Sequence, residues 1–369
     1  MYSKPYNILI APLDWGIGHA SRCVPIIKSL RASGCKLVVA SNGRALSFLR
    51  EAFPDLAFEP INAYNIRYSR YGALMLFRIL WQIPRIIQAI GKEHKLLKDL
   101  VEKHSIDLII SDNRYGMYHG SVPSVIISHQ LMLKLPSPFG FMEGLLHRCM
   151  GYFLKKHTEC WVPDYMGADN LSGDLSHKYI LRHPVFFIGP LTRFKKSENQ
   201  AQEKKYDVLF MLSGPEPQRS IFEKLVLKQL PKTKLNAVVL RGLPDEKDAD
   251  KTIMNTRLYA HLPDAEIQRL IQESRLVIAR SGYSTVMDLV ALNAKAILIP
   301  TPGQTEQIYL ARYLFQKKMF LYASQNTFQL TDAMQKAAEF PFIGLSPASA
   351  GSSVHERIEK LLNTHYSQK

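Results

Sequence analysis

Cysteine is scarce and unpatterned in this chain. Cys23, Cys35, Cys149 and Cys160 form no CxxC pair and no zinc-ligand spacing, which excludes a disulfide scaffold and a structural zinc site and fits free thiols in a reducing compartment. Long apolar runs are missing too. None approaches the length of a membrane span, and the apolar run within residues 1–12 is too short for a signal-peptide core. A cytoplasmic protein is expected, with a peripheral seat on the inner face of the plasma membrane left open. Acid is in deficit: 32 Asp plus Glu stand against 47 Lys plus Arg, a formal net charge of +15 over 369 residues. Such an excess favours anionic partners: phosphates of a small ligand, an anionic membrane, or nucleic acid. No nucleic-acid-binding motif accompanies the charge, so nucleic acid is not the expected partner. What is present is an ordinary globular composition, 46% apolar and 21% charged.

Along the chain, short apolar runs alternate with helical patterns. "YNILIAP", "CKLVVAS", "IDLIISD" and "PSVIISH" read as buried strands, with helices over 19–32 and 42–53. Such alternation predicts an α/β fold with mostly parallel sheets covered by helices on both faces. Ligands of such sheets gather beyond the carboxyl ends of strands, where Asp14, Asp112 and His129 fall. Residues 188–205, including "GPLTRFKKSENQAQEKK", lack an apolar period and read as a linker. The alternation then restarts, with strands "YDVLFML", "KLNAVVL", "SRLVIAR" and "AKAILIP" and helices over 218–229, 264–273, 284–292 and 304–316. The expected organisation is two facing Rossmann-like domains, 1–187 and 206–351, with a cleft between them. A terminal amphipathic helix at about 352–369 would pack back on the first.

The densest signal is "RSGYSTVMDLVALNAKAILIPTPGQTEQIYLARYL", residues 280–314. Arg280 ends a strand, Ser281-Gly282 turns, and Ser284-Thr285 begin a helix. A helix start offers unpaired backbone N–H groups and the positive end of a dipole, which suits a phosphate. Gly282 lets the backbone approach a ligand. Asp288, one turn on, could accept hydrogen bonds from ribose hydroxyls. Glu306 and Gln307 in "PTPGQTEQ" could grip sugar hydroxyls. A plain Ser/Thr cap is the competing reading of "SGYST" taken alone.

These residues resemble the C-terminal signature of GT-B fold glycosyltransferases, nearest to the MurG-like glycosyltransferase family 28: Arg-Ser-Gly-x-x-Thr-x-x-acid, then Pro and a Gln-rich loop. Here the signature is Arg280 to Asp288, then Pro300 and Glu306-Gln307. The resemblance implies that Ser284 and Thr285 bind the diphosphate of a UDP-type nucleotide sugar, Asp288 its ribose, and Glu306 and Gln307 its sugar. It also implies Ser213 and Gly214 near the diphosphate and Leu262 at the base. The chain departs from the family in having Asp288 for the usual Glu, Glu306 before Gln307, and Pro215 and Pro217 where a later glycine stands. The resemblance covers nearly the whole chain in layout, but is specific only in residues 8–22 and 257–311.

In the first half, Gly16-Ile17-Gly18-His19 resembles the end of the family's Gly-rich loop. A dinucleotide fingerprint would need glycine where Ser21 stands. Phosphate contact by Gly18 and acceptor contact by His19 both stay open. Glycosyl transfer needs a base for the acceptor hydroxyl, in-line positioning and stabilisation of the leaving diphosphate. His19 and Asp112 compete as base, and a packing role for His19 is the third reading. Helix N-termini and Arg280 would stabilise the diphosphate, so an inverting transfer with no metal and no cofactor is expected. Asp14, His129 and Gln130 are expected at the acceptor, since His129-Gln130 resembles the family's His-Glu-Gln loop without its Glu. Two segments mix basic with apolar side chains: Tyr68 to His104, with Leu74, Phe77, Leu80, Trp81 and Ile83 among Arg70, Arg78 and Arg85, and "SPFGFMEGLLHRCMGYFL". A lipid-linked acceptor at an anionic membrane is one expectation they raise. Packing of the apolar residues on the sheet is the other. The alternatives to a transferase are an enzyme of the UDP-N-acetylglucosamine 2-epimerase type, which keeps Asp14 and Asp112 in play, a non-catalytic GT-B subunit, and a binder of anionic polymers.

Overall fold

The computed structural model describes residues 5–62, 75–135, 139–194, 202–243, 246, 251–345 and 354–366, with the backbone alone for 75–83. The chain divides into two compact units, residues 1–193 with 347–369, and residues 194–346. Of the stretch from Tyr68, Arg70 and Leu74 lie outside the described residues, as do the side chains of Phe77, Arg78, Leu80, Trp81 and Ile83. Part of the expected linker, 195–201, lies outside them too.

The first unit is built on a seven-stranded sheet. Its strands are β1 (Asn7–Pro12), β2 (Lys36–Ser41), β3 (Ala57–Pro60), β4 (Leu108–Asp112), β5 (Ser124–Ile127), β6 (Glu159–Val162) and β7 (Val185–Phe187). They lie in the order β3-β2-β1-β4-β5-β6-β7, every neighbour parallel. The helices are α1 (Ile17–Ala32), α2 (Gly43–Ala52), α3 (Met75–His104), α4 (Glu143–Leu154) and the short α5 (Asp174–His177). The central strands are covered on both faces, hence their unbroken runs of Ile, Leu and Val: Ile8, Leu9, Ile10, Leu108, Ile109, Val125, Ile126 and Ile127 are all fully buried. The chain leaves β1 toward β2 and returns from β3 to β4 on the other side. The carboxyl ends of β1 and β4 therefore form a topological switch point, where loops part and leave room for a ligand.

The second unit repeats the plan with β8 (Tyr206–Met211), β9 (Ala237–Leu240), β10 (Lys251–Ile253), β11 (Thr256–Tyr259), β12 (Ser274–Ala279), β13 (Ala296–Leu298) and β14 (Leu321–Tyr322). The order is β10-β11-β9-β8-β12-β13-β14, parallel except for the edge pair β10–β11. Its helices are α6 (Gln218–Gln229), α7 (Asp264–Glu273), α8 (Tyr283–Ala291), α9 (Thr305–Gln316) and α10 (Leu330–Glu339). A core of Val208, Phe210, Phe222, Val226, Val239, Ile278, Ile297 and Phe328 fills the space between this sheet and its helices. Here the switch point lies between β8 and β12.

The last helix, α11 (Val354–Tyr366), belongs to the first unit. Arg357 donates to both carboxylate oxygens of buried Glu159 on β6 and stacks on the Phe186 ring of β7 at 3.4 Å. Tyr366 donates to the Asp107 carbonyl at 2.9 Å. Ile358 and Leu362 are fully buried beneath these polar anchors. Glu159 also explains why β6 escapes a sequence reading. "ECWV" opens with an acid, and its partner stands 198 residues away.

One buried histidine gives the first unit an acid limit. His157, just past α4, is 2% exposed and packs edge-on against Tyr118. Burial holds its pKa at about 3, against the opposing pull of the Phe153 and Leu154 carbonyls. The folded chain thus keeps His157 neutral, while the unfolded chain protonates it below pH 6.5 or so. Its contribution to stability is complete above that pH. It falls by about 1.4 kcal/mol per unit as pH drops toward 3. Urea denaturation of His157→Phe at pH 7 and pH 4.5 is expected to show the variant gaining about 2 to 3 kcal/mol relative to wild type between the two conditions. An unchanged difference would remove His157 from the acid limb.

Candidate functional sites at the two switch points

Pro12 at the end of β1 stands in register with Asp112 at the end of β4, and the Leu13 N–H donates to the Asp112 carbonyl at 3.0 Å. The chain then turns through Gly16, whose φ of 84° favours glycine, and enters α1 at Ile17. Helical spacing places His19 and Arg22 on one face of this first turn. That face meets the strand ends. Both Nε and Nη2 of Arg22 donate to the Asp112 carboxylate, a bidentate pair with side chains 1% and 0% exposed. Arg22 Nη2 also lies 2.6 Å from His19 Nδ1, and its Nη1 lies 3.2 Å from His129 Nδ1. His19 Nδ1 is 3.1 Å from Asp112 Oδ1. Thus His19, Asp112 and His129, named from the sequence on three separate segments, converge on one guanidinium that sequence reasoning missed. Arg22 carried a signal all the same: its i,i+3 relation to His19.

The electrostatics follow from this geometry. Burial pushes the Asp112 carboxyl up, but the charges of Arg22 and His19 outweigh it and hold the pKa at about 2. For His19, burial and then the Arg22 charge lower the pKa, with Asp112 pulling the other way. The Cys23 thiol beside them is pushed well up by burial. Asp112 is therefore an ionised carboxylate committed to a guanidinium, a poor proton acceptor; His19, half-buried, is the better one.

The other candidates of the first unit lie in the loops after β1 and β5 and in the first turn of α1. Asp14 Oδ1 is buried without a hydrogen bond, 3.7 Å from Arg114 Nη2. Gly18 lends its carbonyl to the Ser21 hydroxyl at 3.0 Å, within the first turn of α1. Gln130 closes a small loop in which its N–H and carbonyl both engage the Ser128 hydroxyl, at 3.1 and 3.0 Å. Fully buried Arg114 gathers the surrounding loops. It donates to the Pro12 carbonyl at 2.9 Å, to Asn42 Oδ1 at 3.1 Å and to Glu93 Oε1 of α3 at 2.7 Å. Neither Arg114 nor Glu93 was named from the sequence.

In the second unit, Met211 and Ala279 end β8 and β12 in register. The loops beyond them hold Ser213 and Gly214, both exposed, and Arg280, Ser281 and Gly282. Gly282 caps α8 and leaves Ser284 and Thr285, half-buried, in its first turn. The Ser281 hydroxyl donates to the Gln307 carbonyl at 2.8 Å, and the Thr301 N–H donates to Gln307 Oε1 at 2.8 Å. The α8 turn and the 301–307 loop are thereby stitched together, with Glu306 and Gln307 in the first turn of α9. Asp288 lies one turn into α8 and is buried; Leu262 is half-buried between β11 and α7. Gly242, after β9, presses against this site from the side. An added Cβ there would stand 2.4 Å from the Leu212 carbonyl, and its φ is 69°.

Arg280 takes a different place from the one expected. It is 1% exposed and donates to main-chain carbonyls: Ser213 at 3.4 Å, Gln218 at 3.0 Å, Ile299 at 3.3 Å and Pro300 at 3.4 Å. Its guanidinium lies 4.6 Å from the Phe222 ring centroid, and burial lowers its pKa to about 10. Its hydrogen bonds tie the loops after β8, β12 and β13, so it positions the site from beneath. Asp248-Ala249-Asp250, which has Asp-x-Asp spacing, lies outside the described residues.

Two Rossmann-like units in one chain, each with polar residues gathered at its switch point, make the layout of the GT-B fold. The similarities agree. Residues 217–356 match the glycosyltransferase family 28 C-terminal domain. An uncharacterized glycosyltransferase of Methanosarcina acetivorans is 23% identical over 316 residues, covering 82% of this chain and 81% of its own. Among solved structures, the spinosyn rhamnosyltransferase SpnG complexed with thymidine diphosphate has a TM-score of 0.58 at 15% identity, covering 98% of this chain and 96% of its own. Acinetobacter baumannii MurG has a TM-score of 0.50 at 13% identity, covering 91% and 90%. The second unit thus carries a match to the family 28 C-terminal domain, and the chain as a whole has the fold of GT-B glycosyltransferases.

The placement of Arg280 leads to a stability expectation. In Arg280→Met, four carbonyls lose a buried donor, which is expected to cost about 2 kcal/mol or more in urea denaturation. Nucleotide binding should weaken along with it, because the loops lose their common anchor. Retained stability would contradict the anchoring role.

Proposed function

We propose that the protein transfers a sugar, hexose or N-acetylhexosamine, from a UDP-type nucleotide donor to a hydroxyl acceptor, with inversion and without a metal. The observation that carries this reading is the meeting of half-buried His19 and ionised Asp112 at a strand-end switch point, with Nδ1 3.1 Å from Oδ1. In the second unit, the N–H groups that open α8, with Ser284 and Thr285, hold the diphosphate and stabilise it as it leaves. Ser213 and Gly214 approach it from the β8 loop, Gly282 gives the backbone room, and Leu262 meets the base. Asp288 binds the ribose. Gln307, held by Ser281 and Thr301, and its neighbour Glu306 orient the sugar. In the first unit, His19 accepts the proton of the attacking hydroxyl; burial and then the Arg22 charge lower its pKa and leave the ring neutral and able to take that proton. Asp14, His129 and Gln130 contact the acceptor, and Gly18 keeps the phosphate contact expected of it. Attack on the anomeric carbon opposite the diphosphate forms the new C–O bond as the old one breaks, which inverts the centre.

Thermal shift against a panel of uridine and thymidine diphosphate sugars should identify the donor, since a bound ligand raises the melting temperature by mass action. Asp288→Ala is expected to weaken that donor's binding about tenfold or more. His19→Ala is expected to cut turnover about a hundredfold or more and leave donor affinity nearly intact. No stabilisation by any nucleotide sugar would sink the reading, and full turnover in His19→Ala would remove His19 as base.

We extend the proposal to a lipid-linked acceptor at an anionic membrane. No described helix is long and apolar enough to cross one. The support is a surface patch around α4: Phe141 is 83% exposed, and Leu145 and Tyr152 are exposed beside Arg148 and Lys155. Lys156 Nζ lies 4.9 Å from the Tyr152 ring centroid. Apolar side chains ringed by cations suit the headgroup boundary of an anionic bilayer. Vesicles of phosphatidylglycerol should sediment with the protein, and Phe141→Ser with Leu145→Ser should weaken that binding about tenfold or more. Equal binding by the double variant would exclude this surface.

A further inference from the structure

Arg22 stands closer to His19 than the base reading requires, and closer than Asp112 does. Its Nη2 is 2.6 Å from His19 Nδ1, against 3.1 Å from that nitrogen to Asp112 Oδ1. A guanidinium carries only donors and does not deprotonate in this range, so it can approach an imidazole nitrogen that closely only where the nitrogen offers its lone pair. A proton on Nδ1 would set two N–H groups against each other. The ring proton of neutral His19 therefore sits on Nε2 in this arrangement. Nη2 has two hydrogens, and it spends one on Asp112 and one on His19.

That tautomer donates from Nε2. A base needs the opposite one, with Nδ1–H held by a carboxylate and the Nε2 lone pair turned to the substrate hydroxyl. We propose that Arg22 is the positioning residue that sets the tautomer of His19: it holds the resting imidazole as the Nε2–H form, and His19 becomes a base when water takes the Nε2 proton and returns one at Nδ1, whose N–H then donates to Asp112 in place of accepting from Arg22. The inference rests on the reading of His19 as base. The exchange needs no distant movement, because Asp112 Oδ1 already stands within hydrogen-bond reach of Nδ1. Arg22 also keeps Asp112 ionised and therefore able to accept that proton. The groups facing His19 are Arg22 on its own helix, Asp112 on β4 and His129 beyond β5. His129 shares the same guanidinium, through Nη1. The neighbouring Cys23 thiol stays protonated under its burial.

The test is long-range 1H–15N correlation of 15N-histidine-labelled protein between pH 5 and 9, with the His19 signals assigned by their loss in His19→Gln. Wild type is expected to show the Nε2–H tautomer at His19. Arg22→Met should convert it to Nδ1–H and raise the pH at which the ring ionises by about one unit or more. Arg22→Lys keeps the charge with a single point donor, and should raise the Nδ1–H fraction in a chain whose Asp112 is still compensated. It carries the test should Arg22→Met fail to fold. An Nδ1–H tautomer in wild type, or an unchanged tautomer in the folded variants, overturns the inference. Turnover of His19→Ala decides the base reading separately. Full turnover there with an Nε2–H signal in wild type defeats the base reading and with it the exchange. Lost turnover with Nδ1–H in wild type defeats only the role of Arg22.

Discussion

A guanidinium and a carboxylate, both almost wholly removed from water, meet at the carboxyl ends of β1 and β4. Arg22 and Asp112 would each be expensive to bury alone. Together they remain charged, and their geometry fixes three other things. The bidentate contact ties the start of α1 to the end of β4. It holds Asp112 ionised. It also leaves donors on the guanidinium to engage His19 and His129. The chemistry assigned to the first unit depends on this one pair, because its guanidinium gathers both histidines at the strand end.

The second unit meets the same problem with a different balance. Arg280 sits at the matching switch point, but its partners are carbonyls rather than a carboxylate. The positive charge is therefore solvated by main-chain dipoles and by the face of Phe222. One arginine thus orders three loops without a second buried ion. Arg114 does a similar service in the first unit, tying the ends of β1 and β2 to Glu93 on α3. Buried arginines suit such places because a planar fork of five donors reaches several acceptors at once. Lysine would reach fewer.

Most of the architecture was legible before the fold. The runs "YNILIAP" and "KLVVAS" have no polar face because both sides of the sheet are covered. The helices 218–229 and 264–273 match the structure in both bounds. What escaped were β3, β6, β7, β10, β11 and β14, which are 4, 4, 3, 3, 4 and 2 residues long. Strands so short carry no period; β5, β9 and β13 are no longer than these and were legible only as aliphatic runs, which the missed strands lack. Their place in the sheet comes from neighbours, as with β6, whose Glu159 is satisfied by Arg357 on the last helix. The candidate site residues were legible where they sit in a motif with local spacing, as in 280–288. Arg22 and Arg114 were not, because a buried arginine and an exposed one look alike in sequence.

By itself the sequence determined which segments become strands and helices, that they alternate into two α/β units, and that polar residues stand at particular strand ends. It could do so because hydrophobic period, turn residues and helix starts are written locally. Only the tertiary structure decided which ends become neighbours. It brought Asp112 to Arg22 across 90 residues, made Asp112 an ion pair rather than a free base, and turned Arg280 beneath its loops. Burial and partnership fix the charge state of such groups, and both exist only once distant segments have packed.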